Sequence, residues 1–228
     1  IQAVFQNPYA SLDPTMTIRD CVGEPLDIHE HLSHSERQAR VAELLTQVGL
    51  DRRYAARYAH ELSGGQRQRV AIARALALNP RLIVCDEPVS ALDVSTQAQV
   101  INLLKELQAR LGLAYLFVGH DLSLVYHISD RIAVMYMGRI VETGPSRSLY
   151  ESPRHPYTKA LLSAVLSIDP RNRRLTSVTR GEPTGDVFQG VGCPFAARCP
   201  AVMDQCRAVT PPATVTADAV TVWCHLYP

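Results

Sequence analysis

Two short groups in the run 62–93, LSGGQRQRVAIARALALNPRLIVCDEPVSALD, have residue types and spacing that could do chemistry. The first is Ser63-Gly64-Gly65-Gln66. A serine with glutamine three residues on is a capping-box pattern, which opens a helix. A helix start presents unpaired N–H groups and the positive end of a dipole, and two glycines remove the Cβ atoms that would keep an anion away. A terminal phosphate fits such a turn, although a bare S-G-G-Q also opens ordinary capped helices. The second group is Asp86-Glu87, directly after the apolar LIVC. At the carboxyl edge of a buried parallel strand an aspartate can hold magnesium through water, and the adjacent glutamate can orient or deprotonate an attacking water.

Such groups need elements to hold them at one edge. Residues 1–10, IQAVFQNPYA, read as a short strand ending at Gln6 and a turn at Pro8. Helical structure is expected through 13–61, because Val41, Leu44, Leu45 and Val48 fall on one helix face. Ser33 and Glu36 offer a capping box before that face, and Gly49 a stop after it. The helix opened by Ser63 ends at Asn79-Pro80, and LIVC at 82–85 is continuously apolar, as a covered parallel strand should be. A helix follows from about Ser95 to Leu111, closed by Gly112, and AYLFVG at 114–119 reads as the next buried strand, delivering His120 at its edge. Alternating strands and helices with ligand-type residues at strand ends describe an open α/β sheet. Beyond it, 131–144 reads as a hairpin around Met137-Gly138, and Pro156 in HPYTKALLSAV suits a helix's first turn. The texture turns to proline, threonine and spaced cysteines from Ile168, with a boundary near 168–175.

Composition is ordinary: 228 residues, 46% hydrophobic, 20% charged, net charge +1. No basic excess calls for nucleic acid, and no apolar run reaches the ~20 residues that span a bilayer. Lys105 and Lys159 are the sole lysines and neither follows a glycine, so the phosphate-cradling pattern G-x-x-x-x-G-K-S/T is absent. The chain opens on Ile1, directly in a motif-like segment, and is expected to be N-terminally truncated. As given, it lacks the cradle that this pattern supplies to a nucleotide's phosphates. His29, His31, His34 and His60 have no placement that implies chemistry and read as surface residues.

The ordered set LSGGQRQR, then apolar-Asp-Glu-Pro, then SALD, resembles the ATP-binding cassette (ABC) ATPase family over residues 1 to about 150. The resemblance implies an α/β fold of the P-loop NTPase type, with a helical subdomain at about 13–79 and its N-terminal part missing. It makes Glu87 the catalytic base and His120, in VGHDL, the switch histidine that hydrogen-bonds the terminal phosphate. Gln6, in VFQNP, matches the glutamine that touches magnesium and water and couples to membrane subunits. Asp86 becomes the magnesium residue, Ser63, Gly64, Gly65 and Gln66 the nucleotide-contacting turn, and Asp93 part of the loop that crosses to a partner cassette. ATP in this family lies between two subunits, so each dimer has two composite sites.

The segment 151–228 resembles the C-terminal extension of oligopeptide and dipeptide ABC importers, through HPYTKALL and GCPFAARCP. Cys193, Cys199, Cys206 and Cys224 could hold a 4Fe–4S cluster or zinc, and the resemblance favours the cluster. The alternative is four reduced cysteines packed as small hydrophobes. The expectation is an ATPase subunit of a peptide importer. It would use ATP and Mg2+ and sit peripherally on the cytoplasmic face of the inner membrane, paired with a second cassette and permease subunits. Two further readings compete: a soluble ABC protein without a transporter, and a non-hydrolysing remnant that completes a partner's site.

Overall fold

The computed structural model describes residues 1–164 and 190–227. The chain divides into two compact units, Ile1–His120 and Asp121–Pro228. The change of texture at 168–175 lies outside the described residues.

In the first unit three parallel strands, β1 (Gln2–Val4), β2 (Leu82–Asp86) and β3 (Ala114–Val118), lie in the order β1-β2-β3. Val4 pairs with Cys85, and Asp86 with Val118. This register puts Val4, Ile83, Cys85, Tyr115 and Phe117 on one face, and Ile83 and Cys85 are fully buried. The other face carries Leu82, Val84, Leu116 and Val118. Leu116 and Val118 are 56% and 46% exposed, which corrects the expectation that AYLFVG is a buried strand. An apolar run shows that a strand can be covered on both faces; within this unit β3 is covered on one.

The helices follow their capping signals. Helix α1 (Pro8–Ser11) follows β1, and α2 (Ile18–His29) is capped by Thr17. Helix α3 (His34–Gln47) has both halves of the Ser33/Glu36 capping box, and its predicted face is interior, with Val41, Leu44, Leu45 and Val48 at most 1% exposed. Helix α4 (Gly64–Leu76) begins at Ser63 with its own capping box to Gln66. Helix α5 (Val94–Leu111) is capped by Asp93 and stopped at Gly112, whose φ of 65° is the left-handed conformation glycine adopts without penalty.

The second unit opens with α6 (Leu122–Ile128), then the hairpin of β4 (Arg131–Tyr136) and β5 (Arg139–Pro145). Met137 at φ 46° and Gly138 at φ 74° give it the doubly positive turn that matches strand twist. Helices α7 (Ser146–Glu151), α8 (Pro156–Ala164) and α9 (Gln205–Ala208) precede β6 (Ala213–Val215) and β7 (Thr221–Trp223). The sheet is antiparallel in the order β4-β5-β7-β6. Its last two strands have three residues each, too short for alternation to announce them.

Candidate functional site

The ends of the three parallel strands converge on one residue. Gln6 follows β1, Glu87 follows β2 and His120 follows β3. Gln6 Nε2 donates to Glu87 Oε2 at 2.8 Å, and His120 Nδ1 stands 3.3 Å from the same oxygen. Glu87 is positioned by its backbone as well: its N–H donates to Val118 O at 2.9 Å, and its φ of 43° turns the chain sharply off the strand. Its carboxylate is partly sheltered, with 28% of the side chain exposed, whereas the imidazole is 72% exposed. Asp86 is the last residue of β2 and is exposed beside this cluster. The edge therefore offers a carboxylate at Asp86, an amide at Gln6 and a carboxylate held by two polar neighbours.

Magnesium keeps several waters and takes one or two carboxylates together with substrate phosphates. Among the described residues no group of three or more His, Cys, Asp or Glu is arranged to hold a metal ion. An exposed Asp86 with Gln6 nearby fits the sparse protein contribution that magnesium needs, so a full cage is not required there.

The turn at Ser63 belongs to a separate network. Ser63 N–H donates to Gln66 Oε1 at 2.9 Å, Gln66 N–H donates to Ser63 Oγ at 3.3 Å, and Gln66 Nε2 donates to Tyr54 Oη at 3.1 Å. The Gln66 amide is thus engaged at both ends inside the unit. What the turn still offers a phosphate are the first-turn amides of Gly64 and Gly65, which have no acceptor within an α-helix. Asp93 accepts from Ser95 Oγ at 2.6 Å, Thr96 N at 3.0 Å and Thr96 Oγ1 at 2.7 Å. These bonds hold its carboxyl well below the usual carboxylate range. His29, His31, His34 and His60 are exposed, as the sequence reading has them.

Two further residues shape the turn: Tyr54, which orients Gln66, and Thr96, which sits beside Gly65. Neither belongs to a motif. The signal available for Thr96 was its place three residues after Asp93, where a helix cap finds its amide.

In the second unit the four cysteines come together. Cys193, Cys199, Cys206 and Cys224 line one pocket of about 10 Å³ with His155 and Phe195, room for one water at most. Cys193 N–H donates to Cys206 O at 2.7 Å. The iron–sulfur or zinc site expected here is nevertheless not supported by the packing, since no metal-holding group forms among the described residues. Burial pushes the Cys193 thiol up to about 11 and raises Cys224, so thiolate ligation in this pocket would have to release protons. Beside it, the fully buried carboxylate of Glu142 accepts from Arg154 N at 2.7 Å and His155 N at 2.9 Å, holding the chain just ahead of α8.

A parallel sheet with a carboxylate pair past its middle strand, a glutamine and a histidine past its neighbours, and a glycine-opened helix defines the class of ATP-binding cassettes. The model of the ABC transporter family matches residues 1–90, and that of the oligopeptide/dipeptide transporter C-terminal region matches 141–206. A putative peptide import ATP-binding protein of Brucella abortus is 53% identical over 229 residues, covering 100% of this chain and 67% of the relative. The oligopeptide transport ATP-binding protein AppF of Bacillus subtilis is 51% identical, with 100% and 70% covered. Among solved structures, cbiO1 from Clostridium perfringens, part of the ABC transporter complex cbiONQ, aligns with a TM-score of 0.60 at 29% identity. The ATP-binding cassette MJ0796, in a post-hydrolysis dimer with ADP and Pi, aligns at 0.56 and 35%. These alignments cover 66% and 64% of this chain, and 59% and 63% of the solved chains. The chain belongs to the ATP-binding proteins of the ABC transporter family, in its peptide-import branch.

Proposed function

We propose that the chain is part of the ATP-hydrolysing motor of an importer for peptides or similar small solutes, working as one of a pair of cassettes. The observation that carries this reading is the convergence of Gln6, Glu87 and His120 at one sheet edge, with Asp86 alongside. Bound ATP and magnesium supply the transferable phosphoryl group and the cation that neutralises its charge. Asp86 and Gln6 are the residues to hold the cation. Glu87 is the general base: Oε2 is engaged by Gln6 and His120, which leaves Oε1 outside those contacts to take a proton from water. His120, exposed at the rim, is placed to donate to a terminal phosphate, and the amides of Gly64 and Gly65 to meet the phosphate of a partner's nucleotide.

Peptide import is supported by the names of the relatives and by the matched C-terminal region. Pairing is supported by the dimeric form of MJ0796. Among the described residues no helix is long and apolar enough to cross a membrane. Permease subunits as partners, with this chain peripheral on the cytoplasmic face, follow from the importer reading of the relatives' names. Glu87→Gln in the complete protein is expected to lower ATP turnover by about 10²- to 10⁴-fold, the range that loss of a general base costs. Turnover near the wild-type rate would show that another group is the base.

A finer reading is a 4Fe–4S cluster at the four cysteines, which come from separate segments and line one pocket. Holding it requires the pocket to open and the thiols to ionise. Anaerobically purified protein with a brown chromophore and bound iron supports the cluster, while colourless or zinc-loaded protein refutes it.

A further inference from the structure

The S-G-G-Q turn is packed against the S-A-L-D loop and the start of α5 through the side chains of Leu92 and Thr96. A Cβ added to Gly64 would stand 3.2 Å from Leu92 Cδ2. One added to Gly65 would fall well inside the contact radius of Thr96 Cγ2. The space that makes these glycines bare is therefore taken, on this side, by the S-A-L-D loop and the first turn of α5.

Thr96 cannot yield that space freely. Its Oγ1 donates to Asp93 Oδ2 at 2.7 Å and its N–H to Asp93 Oδ1 at 3.0 Å. A β-branched side chain has few staggered settings, and the rotation that clears Gly65 also takes Oγ1 off Asp93. The loop before it is tied down as well. Glu87 O accepts from Ser90 N at 3.2 Å and Ser90 Oγ at 3.1 Å, and Val89 O accepts from Leu92 N at 3.1 Å and Gln97 Nε2 at 3.0 Å.

We propose that Thr96 is a positioning residue for the Ser63–Gln66 turn: Asp93 fixes its rotamer, its Cγ2 fixes Gly65, and Leu92 backs Gly64. The S-G-G-Q helix start and the S-A-L-D loop then move as one body. Its functional consequence rests on the ATPase reading above, in which both groups face a partner cassette. Locked together, they reach that partner in a set register, and a phosphate meeting one is felt by the other. The competing account is that Gly65 is bare only to admit phosphate. In that case the cost of a side chain there is independent of what stands at position 96.

A double-mutant cycle separates the two. Thr96→Ser removes Cγ2 and keeps the hydroxyl for Asp93, while Thr96→Val keeps a methyl and loses the hydroxyl. Gly65→Ala is expected to lower ATP turnover of the complete protein by about tenfold, and by no more than about threefold when combined with Thr96→Ser, a coupling of ordinary size for touching residues. Thr96→Val should give no such rescue. Equal losses in the wild-type and Thr96→Ser backgrounds would overturn the proposal. Hydrogen exchange on the 228-residue chain, which needs no nucleotide, supplies the second arm. Gly65→Ala should raise exchange at both 63–66 and 93–97, and Thr96→Ser should restore both. A change confined to 63–66 would overturn the coupling. If wild-type protein showed no ATPase at all, the functional reading would fall, and the exchange result would still decide whether Thr96 locks the turn.

Discussion

Glu87, the proposed base, also carries backbone strain. A non-glycine residue at φ 43° costs on the order of 1 kcal/mol, and the bond from its N–H to Val118 O holds it there. Other single residues carry stability. Glu142 is fully buried and satisfies two backbone amides ahead of α8, so Glu142→Ala should lower the unfolding free energy of the second unit by about 2–3 kcal/mol, measured by urea denaturation. An unchanged midpoint would mean those amides find other acceptors. Cys85, buried in β2 with its thiol pushed up to about 12, should resist iodoacetamide in native protein near neutral pH and react once denaturant is added. At this scale the sequence was informative where a residue ended a strand or opened a helix: Gln6, Asp86, Glu87, His120 and Ser63 all stand at such places. Tyr54 was silent and Thr96 was marked only as the amide that Asp93 caps, because their contacts with Gln66 and Gly65 depend on the fold bringing distant segments together.

Among the elements, the helices were the most legible, since their starts are written in local chemistry. Ser33 and Glu36 satisfy each other's backbone groups ahead of α3, and Ser63 and Gln66 do the same ahead of α4. Ser33→Ala should therefore cost about 1 kcal/mol of stability, again by urea denaturation, with no effect on the strand-end cluster. Strands were legible in position and less so in environment. The apolar composition of AYLFVG fits a strand between two layers, yet Leu116 and Val118 are open in this unit. Strands β6 and β7 have no signal of their own, because the pairing of β7 with β5 is a long-range outcome that three residues cannot encode, and β6 is held through β7.

For the whole molecule, the family resemblance spans 1 to about 150 and 151–228, while the family models match 1–90 and 141–206. It did not foresee how the four cysteines pack, since spacing along the chain says which thiols can meet and not how they are arranged when they do. The chain holds no G-x-x-x-x-G-K-S/T pattern, so the isolated 228 residues are expected to bind ATP more weakly than micromolar by calorimetry. Micromolar binding without a partner would mean that the strand-end edge suffices on its own. The cluster around Glu87 is proposed to hydrolyse a nucleotide shared between two cassettes. Sedimentation of the complete Glu87→Gln protein with ATP and magnesium tests it directly. The expected result is a stable dimer that forms with ATP, is absent without it and shows no turnover; a species that stays monomeric with ATP, or a dimer that still hydrolyses it, would contradict the account.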